Sequence, residues 1–409
     1  MTEASSGASS GYGHLPSGVT VGGLSFSALS AGIRKDGRAD VALAVADRPA
    51  TVAAVLTRNL VRAAPVLVTE ARVRAGSARA IVVNSGCANA CTGEPGVAAA
   101  HASTEAVARV LRVEPEAVLP ASTGVIGALL PADKIASRAG DLVDGLRPDG
   151  WEAFARAIMT TDRWPKVAAE TVSTAEGPIT LLAIAKGAGM IHPDMGPPHA
   201  TMLGFVFTDA VVDQPTLASA LAGAVDVTFN ACTVDGDTST NDCVIALATG
   251  ATGRHATRAQ LEPALFSVCD ALARSMVADG EGASHVAEIR VAGLANDADA
   301  RAIARTVATS LLVKTALFGE DANWGRLLAA AGRSGVHFDP TRAAIAIGGI
   351  DIVKGGLALG VEAEQRAAVV LKARSYTIDL SLGDGPGRGR YLTSDLGHGY
   401  VDVNAGYRS

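Results

Sequence analysis

Leu181-Leu182-Ala183-Ile184-Ala185-Lys186-Gly187-Ala188-Gly189-Met190-Ile191 leads through a proline-bearing segment, 193–199, into Ala200-Thr201-Met202-Leu203. The apolar first part has the length and composition of a buried strand, and the glycines after Lys186 punctuate its end. The segment 193–199 holds three prolines and a glycine and reads as an exposed loop. A threonine inside a chain is a poor nucleophile. If the bond before Thr201 is cut, its new α-amine lies beside its own hydroxyl and can act as the base. A free α-amine titrates near ~7.7–8.0, so a useful fraction is neutral at physiological pH. No histidine stands in an obvious Ser/His/Asp arrangement.

Working outward, short β-type runs at 41–46, 80–83 and 179–184 are interleaved with alanine-rich helical stretches at 97–111, 151–159, 216–224, 258–278 and 299–312. The protein is therefore expected to be mixed α and β. Strands and helices do not alternate strictly, so a layered sandwich fits as well as a doubly wound parallel sheet. Gly383-Asp384-Gly385-Pro386-Gly387-Arg388-Gly389 reads as a tight loop, and no internal repeat of fixed period is present.

A chain of 409 residues with 48% hydrophobic and 19% charged residues can bury a large core. The net charge of −6, without any Lys/Arg-rich run interleaved with aromatics, gives no footprint for nucleic acid. Five cysteines without a paired framework fit a reducing compartment, so a cytoplasmic location is expected. No uninterrupted apolar run approaches ~18 residues, and no membrane partner is expected. The Ser/Gly-rich start lacks the basic and apolar regions of a signal peptide and is expected to be a disordered lead-in over 1–20.

Several local patterns have ordinary explanations. Gly187-Ala188-Gly189 begins like a dinucleotide fingerprint, but the third glycine position is His192. Asp235-Gly236-Asp237-Thr238-Ser239-Thr240 begins like a calcium loop, but its sixth position is not glycine and its twelfth is Ala246, so a hydrogen-bonded Asx/ST turn is expected. The histidines, among them His192, His199 and His285, lack zinc spacing and are read as surface or satisfied residues; no metal is expected. Cys87 and Cys91 would share a helix face and are read as small packing residues. Taken singly, Thr123-Gly124 is a turn, Lys186 a solvated charge, Glu281 an exposed turn residue and the C-terminus a frayed tail.

Together these segments carry more information. Asn84-Ser85-Gly86-Cys87-Ala88-Asn89-Ala90, Pro120-Ala121-Ser122-Thr123-Gly124-Val125-Ile126-Gly127 and Met159-Thr160-Thr161-Asp162 precede Ala200-Thr201. Asp235 to Asp242, Asp279-Gly280-Glu281-Gly282-Ala283 and Asn323-Trp324-Gly325-Arg326 follow it. In this order they resemble the ornithine acetyltransferase family, also called glutamate N-acetyltransferase, over 31–409. The resemblance implies a layered sandwich of helices on two stacked sheets, similar to the β-aminopeptidase fold, with a smaller C-terminal subdomain. It also implies self-cleavage between Ala200 and Thr201 into an α chain, 21–200, and a β chain, 201–409, which stay together and pair into a larger assembly.

The same resemblance makes Thr201 the nucleophile and Thr123 and Gly124 the oxyanion hole. Thr160, Lys186, Thr201, Glu281, Asn404 and Ser409 become substrate contacts. The implied reaction moves acetyl from N-acetylornithine to glutamate in arginine biosynthesis, with no cofactor, and leaves acetyl-CoA open as a further donor. Gly196-Pro197-Pro198-His199 is an insertion relative to the family pattern, in which Pro-x-Met runs directly into Ala-Thr. Ser284-His285 stand where the family has Thr-Lys, and Ser409 where a threonine is common. Two other readings stay open: an N-terminal-nucleophile amidase or aminopeptidase with water as acceptor, and an uncleaved, non-catalytic paralogue.

Overall fold

The computed structural model describes residues 12–196 and 202–406, so Ala200, Thr201 and Ser409 lie outside the described residues. Two compact units divide the chain. The larger comprises Pro16–Gly282 together with the segment from His398, and the smaller is centred on Ala283–Gly397.

In the larger unit the strands are β1 Leu24–Leu29, β2 Val41–Thr57, β3 Ser77–Asn84, β4 Val118–Ser122, β5 Lys166–Thr174, β6 Gly177–Lys186, β7 Met195–Gly196, β8 Leu203–Thr208, β9 Cys232–Thr233 and β10 Cys243–Ala248. Its helices are α1 Ala64–Val73, α2 Gly93–Leu111, α3 Ala132–Asp144, α4 Trp151–Ala157, α5 Gln214–Val227 and α6 Arg258–Ala278. The main sheet runs β4-β3-β2-β10-β8-β6-β5, with β1 and β7 also paired to β2. Only β3/β4 and β8/β10 are parallel neighbours in it. A single strand as long as β2 can serve several partners because its pairing with β3 is interrupted between Val45 and Ala50; such a bulge twists and bends the strand.

β8 is buried along its whole length and lies between β6 and β10. Its alternate residues Phe205 and Phe207 meet Phe154 of α4 edge-to-face, with ring centroids 5.3 and 6.3 Å apart, and Phe207 meets Phe26 of β1 at 5.1 Å. Edge-to-face aromatic pairs add about 0.5–1.5 kcal/mol each beyond the area they bury. The strand that begins just after Thr201 is thus held on both edges by pairing and by aromatic contacts. α5 and α6 pack on β2, β5 and β6, and α6 starts in a capping box made by Thr257 and Gln260.

The smaller unit contains β11 Val286–Gly293, β12 Ala344–Ile347, β13 Ile350–Lys354, β14 Leu357–Ala358, β15 Ser375–Ser381 and β16 Gly385–Ser394, in the order β14-β13-β12-β15-β11-β16. Helices α7 Asp297–Ala308, α8 Leu311–Phe318, α9 Trp324–Gly332 and α10 Val361–Leu371 accompany it, with α7 against β11 and β16. The expected mixed α/β class holds, with helices packed on two sheets. The larger unit regains the chain at α11, His398–Gly406, so the smaller unit is followed by a return segment rather than ending the chain.

Two expectations are corrected here. The run 299–312 is not one helix: α7 ends at Ala308, and after the N-cap Ser310 a separate helix, α8, begins at Leu311. The tight loop expected over 383–389 is in part strand β16, because those glycines serve close backbone approach. A Cβ at Gly387 would lie 2.3 Å from the Asn296 carbonyl oxygen, at the N-cap of α7. Helices 97–111, 216–224 and 258–278 and strands 80–83 and 179–184 fall within α2, α5, α6, β3 and β6. From Tyr12 on, the lead-in is among the described residues, and the Val19 carbonyl accepts a bond from the Trp151 indole. No helix of the described residues is long and apolar enough to cross a membrane.

Candidate active site

Where β4 ends, the chain turns through Thr123-Gly124. The Thr123 amide donates to the Asn84 carbonyl at 2.9 Å, and the Ser122 hydroxyl lies 2.6 Å from Asn84 Oδ1. Asn241 Nδ2 ties the same corner by donating to the Ser122 and Ala88 carbonyls. Gly124 has φ +132°, and a Cβ there would lie 2.4 Å from the Gly86 carbonyl carbon. Only glycine fits that approach.

Opposite this corner, β6 delivers Lys186, which is 8% exposed. Its ammonium donates to Thr123 Oγ1 at 3.1 Å. Burial pulls the Lys186 pKa down and Lys166 adds to this, while Asp162, Asp242 and Glu281 oppose it. An ammonium only donates, so Thr123 Oγ1 accepts from it and the Thr123 hydroxyl hydrogen is left to point elsewhere.

Behind Lys186 lies a buried ion cluster. Lys166 Nζ is 2.6 Å from Asp162 Oδ1 and 2.6 Å from Asp279 Oδ2, and all three side chains are sealed from solvent. Asp162 also accepts from the Gly187 amide at 2.7 Å and the Thr160 amide at 3.0 Å. Asp279 accepts from the Arg163 amide and its guanidinium Nε. Burial raises the Asp162 pKa, but the Lys166 and Lys186 charges and the hydrogen bonds outweigh it and hold the carboxyl below the usual carboxylate range. This cluster fixes three segments together: Thr160-Thr161, the turn after Lys186, and the end of α6 leading into Glu281.

The Glu281 amide donates to the Ala188 carbonyl at 2.9 Å, and Asn404 Nδ2 of α11 donates to Glu281 Oε2 at 2.8 Å. Asp235 receives the Met190 and Ile191 amides at 2.6 and 2.9 Å and the Asp237 amide at 3.2 Å. The acidic run is therefore an Asx-type turn that clamps the turn following β6, as expected in place of a calcium loop.

Thr123, Gly124, Thr160, Lys186, Glu281 and Asn404 all line one cavity of about 220 Å³ within the larger unit, and Met202 and Leu203 at the head of β8 line it too. The candidate site residues that the structure describes thus converge. Asp162, Lys166, Asp235, Asn241, Asp242 and Tyr400 also build or line it and are not among the residues expected from the sequence. Their one signal was that Asp162, Asp235, Asn241 and Asp242 lie inside the colinear motifs.

One side reading changes. Cys87 is buried, but Cys91 is exposed, and Asn89 and Cys91 have φ of 50° and 57°, so the two cysteines share no helix and Cys91 does not pack. His192 is buried, His285 is buried with Nδ1 3.0 Å from the Ala373 carbonyl, and His199 lies outside the described residues. Among the described residues no three His, Cys, Asp or Glu side chains gather as a metal set.

The model of the ArgJ family matches residues 25–409. The chain belongs to the ArgJ family. Relatives of this ArgJ family member include the arginine biosynthesis bifunctional protein ArgJ of Desulfotalea psychrophila, 47% identical over 397 residues, covering 96% of this chain and 100% of that one. The protein of the same name from Geobacter sulfurreducens is 46% identical over 397 residues, with the same coverage. Among solved structures, the arginine biosynthesis bifunctional protein from Bacillus halodurans is 41% identical with a TM-score of 0.49, covering 51% of this chain and 100% of that chain. Ornithine acetyltransferase complexed with ornithine from Mycobacterium tuberculosis is 40% identical with a TM-score of 0.41, covering 43% of this chain and 94% of that chain.

Proposed function

We propose that this chain is a glutamate N-acetyltransferase of arginine biosynthesis, which cuts itself before Thr201 and carries the acetyl group on that threonine. The observation that supports this most is the convergence of Thr123, Gly124, Thr160, Lys186, Glu281 and Asn404 on one cavity whose wall continues into the head of β8.

The reaction is a double displacement. Thr201 Oγ attacks the acetyl carbonyl of N-acetylornithine while the Thr201 α-amine takes the hydroxyl proton. The oxyanion that forms is held by the Thr123 hydroxyl, turned toward it by the Lys186 bond to Thr123 Oγ1, and by the Gly124 amide. The carbon–nitrogen bond breaks, and the departing amine takes the proton back from the α-ammonium. Glutamate then attacks the acetyl-threonine ester by the reverse sequence, restoring the free hydroxyl. The steps balance with no metal or organic cofactor, because the threonine carries the acyl group. Lys186 provides the cation for a substrate carboxylate, and Glu281, oriented by Asn404, accepts from a substrate amine. Thr160 and Ser409 complete the contacts.

In this reading the α chain, 21–200, and the β chain, 201–409, remain one body and pair into a heterotetramer in the cytoplasm, and acetyl-CoA serves as a second donor. The test is to incubate purified protein with N-acetylornithine and glutamate, with and without acetyl-CoA. Without acetyl-CoA, acetylglutamate should form in step with ornithine, and with acetyl-CoA it should exceed ornithine; net acetate release without acetylglutamate would make the protein an amidase instead. Thr123→Ala is expected to lower turnover by about 10²-fold or more with a smaller change in KM, since its hydroxyl matters most as charge develops. Unchanged turnover would remove Thr123 from the oxyanion hole.

A further inference from the structure

At the head of β10, Asp242 is 3% exposed and lines the same cavity. Among the described residues its Oδ2 has no hydrogen-bond partner. A buried carboxyl left in that state is costly, and such a group in a cavity asks for a ligand or a partner. Its backbone is well fixed: the Thr57 amide donates to the Asp242 carbonyl, and the Cys243 amide donates to the Met202 carbonyl at 2.6 Å. Cys243 stands opposite Leu203 in the parallel β8/β10 register. Asp242 therefore holds the register position beside Met202, the residue that follows Thr201.

We propose that Asp242 is a positioning residue for the general base: its carboxylate holds the α-amine that cutting of the Ala200–Thr201 bond creates. This rests on the self-cleavage reading above. In the uncut chain no amine exists there, and burial, with Asp235 adding to it and Lys186 opposing it, keeps the Asp242 carboxyl protonated well above the usual carboxylate range. Cleavage adds water across the peptide bond, giving a carboxylic acid on Ala200 and an amine on Thr201. The Asp242 proton passes to that amine, leaving a carboxylate beside an ammonium, and the new Ala200 carboxyl loses its proton to solvent. The junction thereby changes from a neutral pair to an ion pair, and the unpartnered oxygen gains a partner.

During turnover this carboxylate orients the amine toward Thr201 Oγ and raises its pKa above the free value of ~7.7–8.0. The other charged groups facing this space are Lys186 on β6, Asp235 and Asp237 on the turn ahead of β10, and Glu281 after α6; Tyr400 of α11 also lines it. Lys186 acts against Asp242, and the other carboxylates act with it.

The experiment compares wild type, Asp242→Asn and Asp242→Glu in acetyl transfer from N-acetylornithine to glutamate between pH 5.5 and 9.5. Cleavage is followed by intact mass. In Asp242→Asn the acid limb of kcat/KM should move about one pH unit or more toward lower pH, since the amine has lost an anion and kept a cation. The limiting turnover fitted above each enzyme's own acid limb, where its amine is neutral, should fall about 10-fold or more in Asp242→Asn from lost orientation. Asp242→Glu should return the limb toward the wild-type position. A residue that only supports the fold would lower turnover and leave the limb in place, and an unmoved limb in Asp242→Asn overturns the proposal. If Asp242→Asn stays uncut, 1–200 is co-expressed with Met-201–409, whose initiator is removed to expose Thr201, and the same limb is read. An uncut wild type, or a cut wild type without transfer, refutes the self-cleaving transferase reading; an unmoved limb in an active cut enzyme refutes the role of Asp242 alone.

Discussion

Thr201→Ala is expected to yield an unbroken chain with acetyl transfer lowered by at least about 10⁴-fold, whereas Thr201→Ser should retain part of both activities. In the proposed mechanism alanine removes the oxygen that attacks the Ala200 carbonyl during cleavage and the acetyl carbonyl during turnover, so one substitution should stop both reactions. Serine keeps the hydroxyl and, once cut, the α-amine; it loses the β-methyl that restricts χ1, so its oxygen is less often in the attacking position. The surroundings should survive either change. β8 starts at Leu203, is fully buried between β6 and β10, and is anchored by Phe205 and Phe207 against Phe154. The thermal midpoint of Thr201→Ala should therefore stay near that of the wild type. Intact mass and transfer assays on the three proteins check this, and transfer by Thr201→Ala at a tenth of the wild-type rate or more would overturn the threonine mechanism.

What the sequence makes legible here is local and motif-bound. α6 over 258–278 is visible because its polar start and long alanine- and leucine-rich run are contiguous, and 179–184 because β6 is apolar and ends in a charged residue and glycines. β8 is not legible as a strand: Leu203-Gly204-Phe205-Val206-Phe207-Thr208 is buried on both faces and so carries no period-2 alternation. Glycines 385–389 mislead because close backbone approach and tight turning demand the same residue. The site's wall residues come from segments that resemble a family in order. Its supports do not show themselves, since Lys166 finds one partner four residues away and the other 113 residues on. No periodicity announces a pairing of that separation. Asp242 is hidden for a related reason, because a carboxyl flanked by asparagine and cysteine reads as a turn until β10 and β8 are seen side by side.

Lys166→Met is expected to destabilise the folded chain by about 3–5 kcal/mol at pH 7, because removing one member of a buried ion cluster strands the others. Lys166 is 1% exposed, and its ammonium is the bridge between Asp162 and Asp279, both sealed from solvent. Methionine fills much of the same volume, so the loss is electrostatic rather than a cavity. The pH dependence gives the sign. In the wild type the Asp162 carboxyl is held below its usual range, so its contribution is present above the unfolded value of ~3.9 and fades as pH falls through that window. Without Lys166, the Asp162 carboxyl keeps the upward push of burial and loses its nearest cation, so the variant is penalised at neutral pH and relieved as that carboxyl takes a proton. The stability gap between wild type and Lys166→Met should therefore narrow as pH falls from 7 toward 4. Adding Asp162→Asn should recover part of the loss, since it removes one of the stranded charges while its amide oxygen can still accept from the Gly187 amide. Urea unfolding at several pH values measures all of this, and a Lys166→Met protein within 0.5 kcal/mol of wild type at pH 7 would show that the cluster does not support the fold. The functional consequence follows from what the cluster holds: with Gly187, Thr160 and the approach to Glu281 released together, the surviving Lys166→Met protein should lose acetyl transfer more than its stability loss accounts for.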